Sequence, residues 1–340
     1  RSLPTAASPA GAGPRRVLVL GGTGFVGQSF CERWTRAMPS GSTLLVPTRR
    51  AAHAQAIRHL PGVVVVQADV HQASELQQLL QGCDAVVNLV AILQGSASAF
   101  EQVHVRLPSQ LAAASVQAGV RRLVHISALG VSPQAPSHYL RSKAAGEAAL
   151  APLGTALSVL RPSVIFGARD RFLNTFARLQ ALAPVVPLAG AHSTFQPVWV
   201  EDVAQAIVHS LMKPGHTPAL LECAGPAVYT LAELVRMAGQ WSGHARPIVP
   251  LPGPLATVQA LAMEALPGEP LMSRDNLASM QVPNVATGTL PGLSAIGITP
   301  SSLQAIGPTY LRPGQGCARL DALRARAGRR SGPGPGRSGG

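Results

Sequence analysis

Acidic residues are scarce in this chain: 15 Asp and Glu stand against 28 Lys and Arg, a formal net charge of +13. The imbalance sits at the two ends. Residues 1–50 hold seven Arg against Glu32 and residues 312–340 hold seven Arg against Asp321, so the middle of the chain is nearly neutral. Aromatic residues make up only 4%, and no basic stripe is interleaved with them, which argues against a nucleic-acid partner. Basic ends instead fit acidic protein surfaces, anionic lipid headgroups, or simply solvated tails. Cysteine is scarce as well. Cys31, Cys83, Cys223 and Cys317 stand alone, with no C-x-x-C pair, so neither a disulfide framework nor a zinc site is indicated and a reducing compartment fits. The ten His show no ligand spacing, so no metal is expected. No apolar run reaches the length of a membrane span.

With 46% apolar and 13% charged residues, 340 residues suffice for a sizeable core, and global disorder is excluded. The opening stretch "RSLPTAASPAGAGPRR" has Arg, Ser and Ala but no acid, like the remnant of a transit peptide; a bacterial N-terminal extension or a cloning scar is equally admissible. Residues 1–14 are expected to be a flexible extension, and the low-complexity 313–340 a disordered basic tail.

"RVLVLGGTGFVG" (16–27) reads as a short apolar strand, a glycine turn and the start of a helix running to about residue 38. Gly21 permits the tight turn, Gly24 lets backbone approach a pyrophosphate, and Gly27 lets helix and strand pack closely. Thr23, Phe25 and Val26 lie in the same turn and join the candidate cofactor contacts. Further strands are expected at 43–48, 63–68, 85–93, 122–127 and 157–163, separated by helical patterns. That alternation predicts an α/β fold with a doubly wound, Rossmann-type parallel sheet over 15–165. A smaller mixed region should fill 166–312, with some elements returning to the first core.

The second strand ends in Thr48, Arg49 and Arg50, where an NAD-selective fold usually offers an acid. Two guanidiniums could clamp a 2′-phosphate, which favours NADP(H); they could also be plain exposed helix-start residues. Asp69, followed by Val70, can accept from an adenine amino group or cap the next helix. Asn88, Leu89, Val90 and Ala91 end the fourth strand, where small residues let a cofactor lie close.

In "HYLRSKAAGE" (138–147), Tyr139 and Lys143 sit one helical turn apart. An ammonium beside a phenol favours phenolate, so the pair is a candidate acid/base. His104 is expected to be a helix residue hydrogen-bonded in the core, with a proton relay as the minor reading. In "FGARDRFLN", Asp170 is expected to pair with a neighbouring Arg and pin the loop. Residues 197–211 read as a short strand entering a helix, with Glu201 and Asp202 in its first turn. Thr230 and Glu233 form a capping box. "PLPGPLATVQALAMEALPGEPLM" (250–272) holds one short apolar helix, too short to span a bilayer, expected to lie over the second region's core or to dock on a partner or membrane surface.

GGTGFVG, Asp69, "NLVAIL", "YLRSK" and "LRPSVIFG" (160–167) together resemble the extended or atypical short-chain dehydrogenase/reductase superfamily over residues 15–240. A narrower match, reaching about residue 300, joins "HYLRSKAAGE", "FGARDRFLNTFARL", "QPVWVEDVAQAI" and "MSRDNLASMQVPNVATGTLPGLSAIGI" (272–298). These are similar to the short-chain-dehydrogenase-like accessory subunit of respiratory complex I (NADH:ubiquinone oxidoreductase) and its bacterial relatives. The resemblance implies cofactor contacts at Ile126, Ser127, Pro162 and Val164 and nicotinamide-ribose binding by Lys143. It also implies complex I subunits as partners and a place peripheral to the inner membrane, on the matrix side or its bacterial cytoplasmic counterpart. The superfamily's catalysts set a Ser or Thr beside Tyr and Lys, normally second in a hydroxyl pair. Here Ser127 takes the first position and Ala128 the second, so the third partner of Tyr139 is expected to be missing. The resemblance then implies an NADP(H)-binding subunit whose cofactor is mainly structural. The rival is a free NADP-dependent reductase or epimerase/dehydratase; a redox-sensing module reporting NADPH/NADP⁺ is the third reading.

Overall fold

A computed structural model describes residues 13–37, 41–265 and 272–313. The N-terminal extension and the basic tail, with Cys317, fall almost wholly outside the described residues. The first strand, β1 (Arg16–Leu20), turns into α1 (Phe25–Ala37). Then come β2 (Thr43–Thr48), β3 (Val63–Gln67), α2 (Ala73–Leu80) and β4 (Ala85–Asn88). A long helix follows as α3 (Ala97–Glu101), a π turn over Gln102–Arg106, and α4 (Leu107–Ala118). Next are β5 (Arg122–Ile126), α5 (His138–Leu150) and β6 (Leu157–Pro162).

Why these strands are apolar throughout is visible in the sheet. Val17 and Val19 of β1 face one core with Phe30, Cys31 and Trp34 of α1. Leu18 and Leu20 face another, with Leu76 and Leu80 of α2 and Leu107 and Leu111 of α4. A parallel sheet covered on both faces needs apolar residues at odd and even positions alike.

Beyond β6 the chain builds β7 (Ile165–Phe166), α6 (Leu173–Leu182), β8 (Val186–Leu188), β9 (Thr194–Phe195), β10 (Val198–Trp199) and α7 (Val200–Met212). It continues through β11 (Leu220–Cys223), β12 (Tyr229–Thr230), α8 (Leu231–Ser242), β13 (Ile248–Pro250), α9 (Gly253–Glu264), α10 (Arg274–Ser279) and α11 (Leu303–Leu311). The central sheet has seven parallel strands in the order β11-β6-β5-β4-β1-β2-β3. The order reverses between β1 and β4, and a ligand crevice opens beyond the carboxyl ends at such a switch point. Three two-stranded sheets, β7–β10, β9–β12 and β8–β13, accompany it. Phe166, Leu173, Leu234, Leu303 and Tyr310 form a second core.

Two expectations are corrected. The strand expected over 85–93 stops at Asn88, because beyond it the chain turns off the sheet: the Asn88 side chain accepts from Val90 N–H at 3.2 Å. The sequence reading also missed β11, four residues long, which returns from the second region to the sheet edge. α7 returns too, its Val203 and Ile207 buried with Trp34 of α1. The Thr230–Glu233 capping box is present at the start of α8. Among the described residues, no helix is long and apolar enough to cross a membrane.

Candidate dinucleotide site

The turn from β1 into α1 is shaped by backbone. Gly21 sits at φ +80°, and a Cβ there would lie 3.1 Å from the Leu89 carbonyl carbon and 3.2 Å from Val90 N. Gly24 N–H donates to Gly21 O at 3.0 Å, and Gly24 itself is exposed. Gly27 rests on the Gly21 carbonyl and Gly22 Cα, leaving no room for a side chain. Gln28 Nε2 holds Thr23 O at 2.8 Å. The first turn of α1, with Phe25 and Val26, carries no acid; Gln28 N–H closes the turn onto Gly24 O at 2.9 Å, while the N–H groups of Phe25, Val26 and Gly27 precede any such bond among the described residues. Orphan N–H groups, the positive helix end and a bare Gly24 fit an anionic pyrophosphate.

At the end of β2, Thr48 Oγ1 donates to Arg50 O at 3.1 Å and closes a tight turn. Arg49 and Arg50 are exposed there, and neither forms an ion pair among the described residues. Asp69 does not cap α2, whose cap position is Gln72. It instead accepts from His71 N–H at 3.1 Å in an Asx turn, while its own N–H donates to Glu75 at 2.8 Å. Val70 packs partly buried on the core under α2.

At the other half of the crevice, side chains dominate. Lys143 is buried, and its Nζ donates to Ile126 O at 2.8 Å. Burial pushes its pKa down to about 8, against a pull upward from Glu147. Glu147 is held by Arg161 through two bonds of 2.9 and 2.6 Å. Tyr139 packs edge-on against His104, ring centroids 5.6 Å apart, and against Phe100 at 6.2 Å. Burial pushes its phenol up to about 12. That reverses the expectation of a phenolate favoured by the lysine. The ammonium is committed to a main-chain carbonyl, and desolvation governs the phenol.

Ser127 is buried, and among the described residues its Oγ makes no hydrogen bond. Its N–H continues the β5–β6 ladder to Leu160 O at 2.8 Å. Ala128, also buried, offers nothing polar at the next position. His104 accepts from Ile92 N–H at its Nε2 (3.2 Å), and its Nδ1 lies 2.8 Å from Ser142 Oγ. Since the amide can only donate, the ring is assigned as neutral with the proton on Nδ1. Burial first, then the Lys143 charge, depresses its pKa to about 3. It is the hydrogen-bonded core residue expected, seated on the π turn. Across the sheet Asn88 Nδ2 lies 3.2 Å from His125 Nδ1.

Leu89 N–H bonds Leu20 O at 2.9 Å, which sets Leu89, Val90 and Ala91 along the exit of β4 beside the phosphate turn. Pro162 O accepts from Leu129 N–H at 3.0 Å. The Val164 N–H, a candidate cofactor contact, is bonded to Asn284 Oδ1 at 2.8 Å. Asp170 pins its loop through the N–H groups of Gly167, Phe172 and Asn174 and through Tyr310 Oη, rather than through Arg169, which lies 3.3 Å from Glu32. The sequence reading missed Asp275, Asn276 and Asn284, which contact this half from far along the chain. Among the described residues, no group of three or more His, Cys, Asp or Glu could hold a metal ion.

Residues 17–220 match the model of the NAD dependent epimerase/dehydratase family. The chain is 31% identical over 295 residues to mouse mitochondrial NADH dehydrogenase (ubiquinone) 1 alpha subcomplex subunit 9, covering 84% of this chain and 77% of the relative. The 40 kDa subunit of Neurospora crassa NADH-ubiquinone oxidoreductase is 25% identical over 304 residues, covering 88% and 80%. Among solved structures, MoeE5 in complex with UDP-glucose and NAD superposes with a TM-score of 0.65 at 21% identity, covering 91% of this chain and 99% of that one, a likeness of fold. The chain therefore belongs to the NAD dependent epimerase/dehydratase family and is a homologue of subunit 9 of the mitochondrial NADH dehydrogenase alpha subcomplex.

Proposed function

We propose that the protein is an accessory subunit of respiratory complex I that holds NADP(H) as a structural cofactor. The observation that carries the non-catalytic part is Ala128, which leaves Tyr139 without a hydroxyl partner beside a phenol pushed up to about 12. Gly21, Gly24 and the start of α1 would take the pyrophosphate, Arg49 and Arg50 the 2′-phosphate, Asp69 the adenine, and Lys143 the nicotinamide ribose. A bound nicotinamide would supply hydride chemistry; on this reading Tyr139 and Ser127 would line its site without moving a proton. A ligand that binds only the folded state stabilises it by mass action, which suffices for a structural role.

The homology to mitochondrial subunits supports a place on the matrix side of the inner membrane, or its bacterial counterpart. Exposed apolar side chains support peripheral contact with anionic lipid: Leu255, Val258 and Leu261 on α9, and separately Leu182 on α6. Arg178 lies one turn from Leu182, and Arg246 bonds Gln180 O at 3.0 Å beside it. Gentle purification from native membranes tests the assignment. Complex I subunits and NADP(H) should come with the protein. Calorimetric titration tests selectivity: removing both Arg49 and Arg50 should weaken NADPH by about 1–3 kcal/mol. Tighter NADH than NADPH binding by the parent sinks the NADP(H) reading.

A further inference from the structure

Residues 272–284 run across the crevice at the carboxyl ends of β4, β5 and β6. Asp275 accepts from the N–H groups of His138 (2.6 Å) and Tyr139 (3.0 Å), the first two residues of α5. Ser137 Oγ takes the third, from Leu140 at 3.1 Å. The carboxylate thus meets the positive end of the helix that carries Tyr139 and Lys143. Asn276 accepts from Gln94 Nε2 at 3.1 Å in the loop after β4. Val282 covers Gly130 after β5, where a Cβ would come within 2.9 Å of Val282 Cγ1. Asn284 Oδ1 accepts from Ser163 Oγ (2.7 Å) and Val164 N–H (2.8 Å) after β6. Its main chain is sewn to the second region through Thr194 O and Gln196 N–H at 2.9 and 3.0 Å.

One segment therefore ties every loop of the nicotinamide half to every other. We propose that residues 272–284 are a built-in strap that closes the substrate side of the crevice and slows nucleotide release, with Asp275 and Asn284 as its positioning residues. The kinetic part rests on the nucleotide reading above. Such a strap would fit a cofactor held without turnover, since it lies across the loops at the carboxyl ends of β4, β5 and β6.

The test uses full-length protein loaded with NADPH and chased with excess NADP⁺, with release followed by nicotinamide fluorescence. Each broken anchor removes about one or two hydrogen bonds' worth of closure, so Asn284→Ala and Asp275→Asn should each speed release about tenfold. Asn284→Asp keeps the acceptors for Ser163 and Val164 and should stay within about threefold of the parent. Tryptic cleavage after Arg274, a residue of the strap, should accelerate in the two fast variants and not in Asn284→Asp. Parental release rates in Asn284→Ala and Asp275→Asn, with Arg274 cleaved faster, would overturn the kinetic role; a fast Asn284→Asp would overturn the acceptor role of Asn284. Failure of the nucleotide reading looks different: no saturable NADPH or NADH binding to the parent. Hydrogen exchange at the Val164 amide then decides the strap. Loss of protection by about tenfold in Asn284→Ala supports it, and unchanged exchange overturns it.

Discussion

The phosphate half of the crevice, at the ends of β1 and β2, is made of backbone drawn from two short stretches, residues 20–28 and 48–50. Its nearest constraint is space: Gly21 against Leu89 and Val90, and Gly27 against Gly21 and Gly22. The nicotinamide half, at the ends of β4, β5 and β6, is made of side chains engaged with main-chain groups. Lys143 holds Ile126 O, His104 holds Ile92 N–H, and Asn284 holds Val164 N–H. The first half is open for an anion, and beyond its own two stretches it leans on the nearby exit of β4 at Leu89 and Val90. The second is satisfied internally and depends on residues more than a hundred positions away. The proposed cradle without a working acid/base would fit that contrast, because binding phosphates and moving a proton would draw on different halves.

The contrast is broken most directly at Gly27. Any Cβ there overlaps the Gly21 carbonyl, and backbone on both sides cannot yield. Gly27→Val should cost about 3 kcal/mol or more in urea denaturation, at the upper end of overpacking. A loss under about 1 kcal/mol would mean that the turn is plastic and the phosphate half is not fixed by sterics.

Lys143 tests the other half through pH. Its folded pKa is about 8 against 10.5 unfolded. Between those values the unfolded chain binds more protons, so stability rises with pH across the window and is lost as pH falls from 10.5 to 8. The rise should approach about 3 kcal/mol for nucleotide-free protein as an upper bound, and Lys143→Met should abolish it. The check is urea midpoints of parent and variant at pH 7.5 to 10, taken as a difference so that other titrations cancel.

His104 sharpens the same half at the acid end. Replacing it with Ala leaves Ile92 N–H and Ser142 Oγ without their partner, a loss of about 2 kcal/mol at pH 7. The parent should also lose stability as pH falls from 6.5 toward 3, because the unfolded imidazole takes a proton that the buried ring refuses. The variant should show a shallower acid slope. An imidazole that protonates near pH 6.5 in the folded protein, read from its NMR shifts, would restore the proton-relay reading.

How much of this was legible in the sequence divides along the same line. The glycine turn, the first six strands and the Thr230–Glu233 box are local patterns, and each lies where its residues indicated, except that β4 stops at Asn88, short of the expected 93. β11 is only four residues and carries a glutamate, Glu222, so its apolar run is too short to stand out, and its pairing with β6 defines it. The π turn at His104 depends on Gly146 of α5 lying against the His104 carbonyl, a contact between helices that no periodicity carries. Asp275 and Asn284 reach α5 and β6 across 136 and 120 residues. Even the Tyr139–Lys143 spacing misled on pKa direction, since spacing places two groups on one helix face but burial sets which proton each keeps.

Tyr139 should give the smallest effect of all. Among the described residues its hydroxyl has no hydrogen-bond partner, and the ring's contacts with Phe100 and His104 are edge-on packing that Phe reproduces. Tyr139→Phe removes one oxygen and leaves the ring, the helix start and the Asp275 contact to its N–H in place. Stability should change by less than about 0.5 kcal/mol, and NADPH affinity by less than about twofold. Lys143→Met at the same crevice should release the nucleotide if, as proposed, the ammonium binds the nicotinamide ribose. Paired titrations of the two variants by calorimetry compare an idle group with a working one. If Tyr139→Phe instead weakens NADPH as much as Lys143→Met, the phenol is bonded to the cofactor. The nicotinamide half would then keep the contact on which an acid/base mechanism is built.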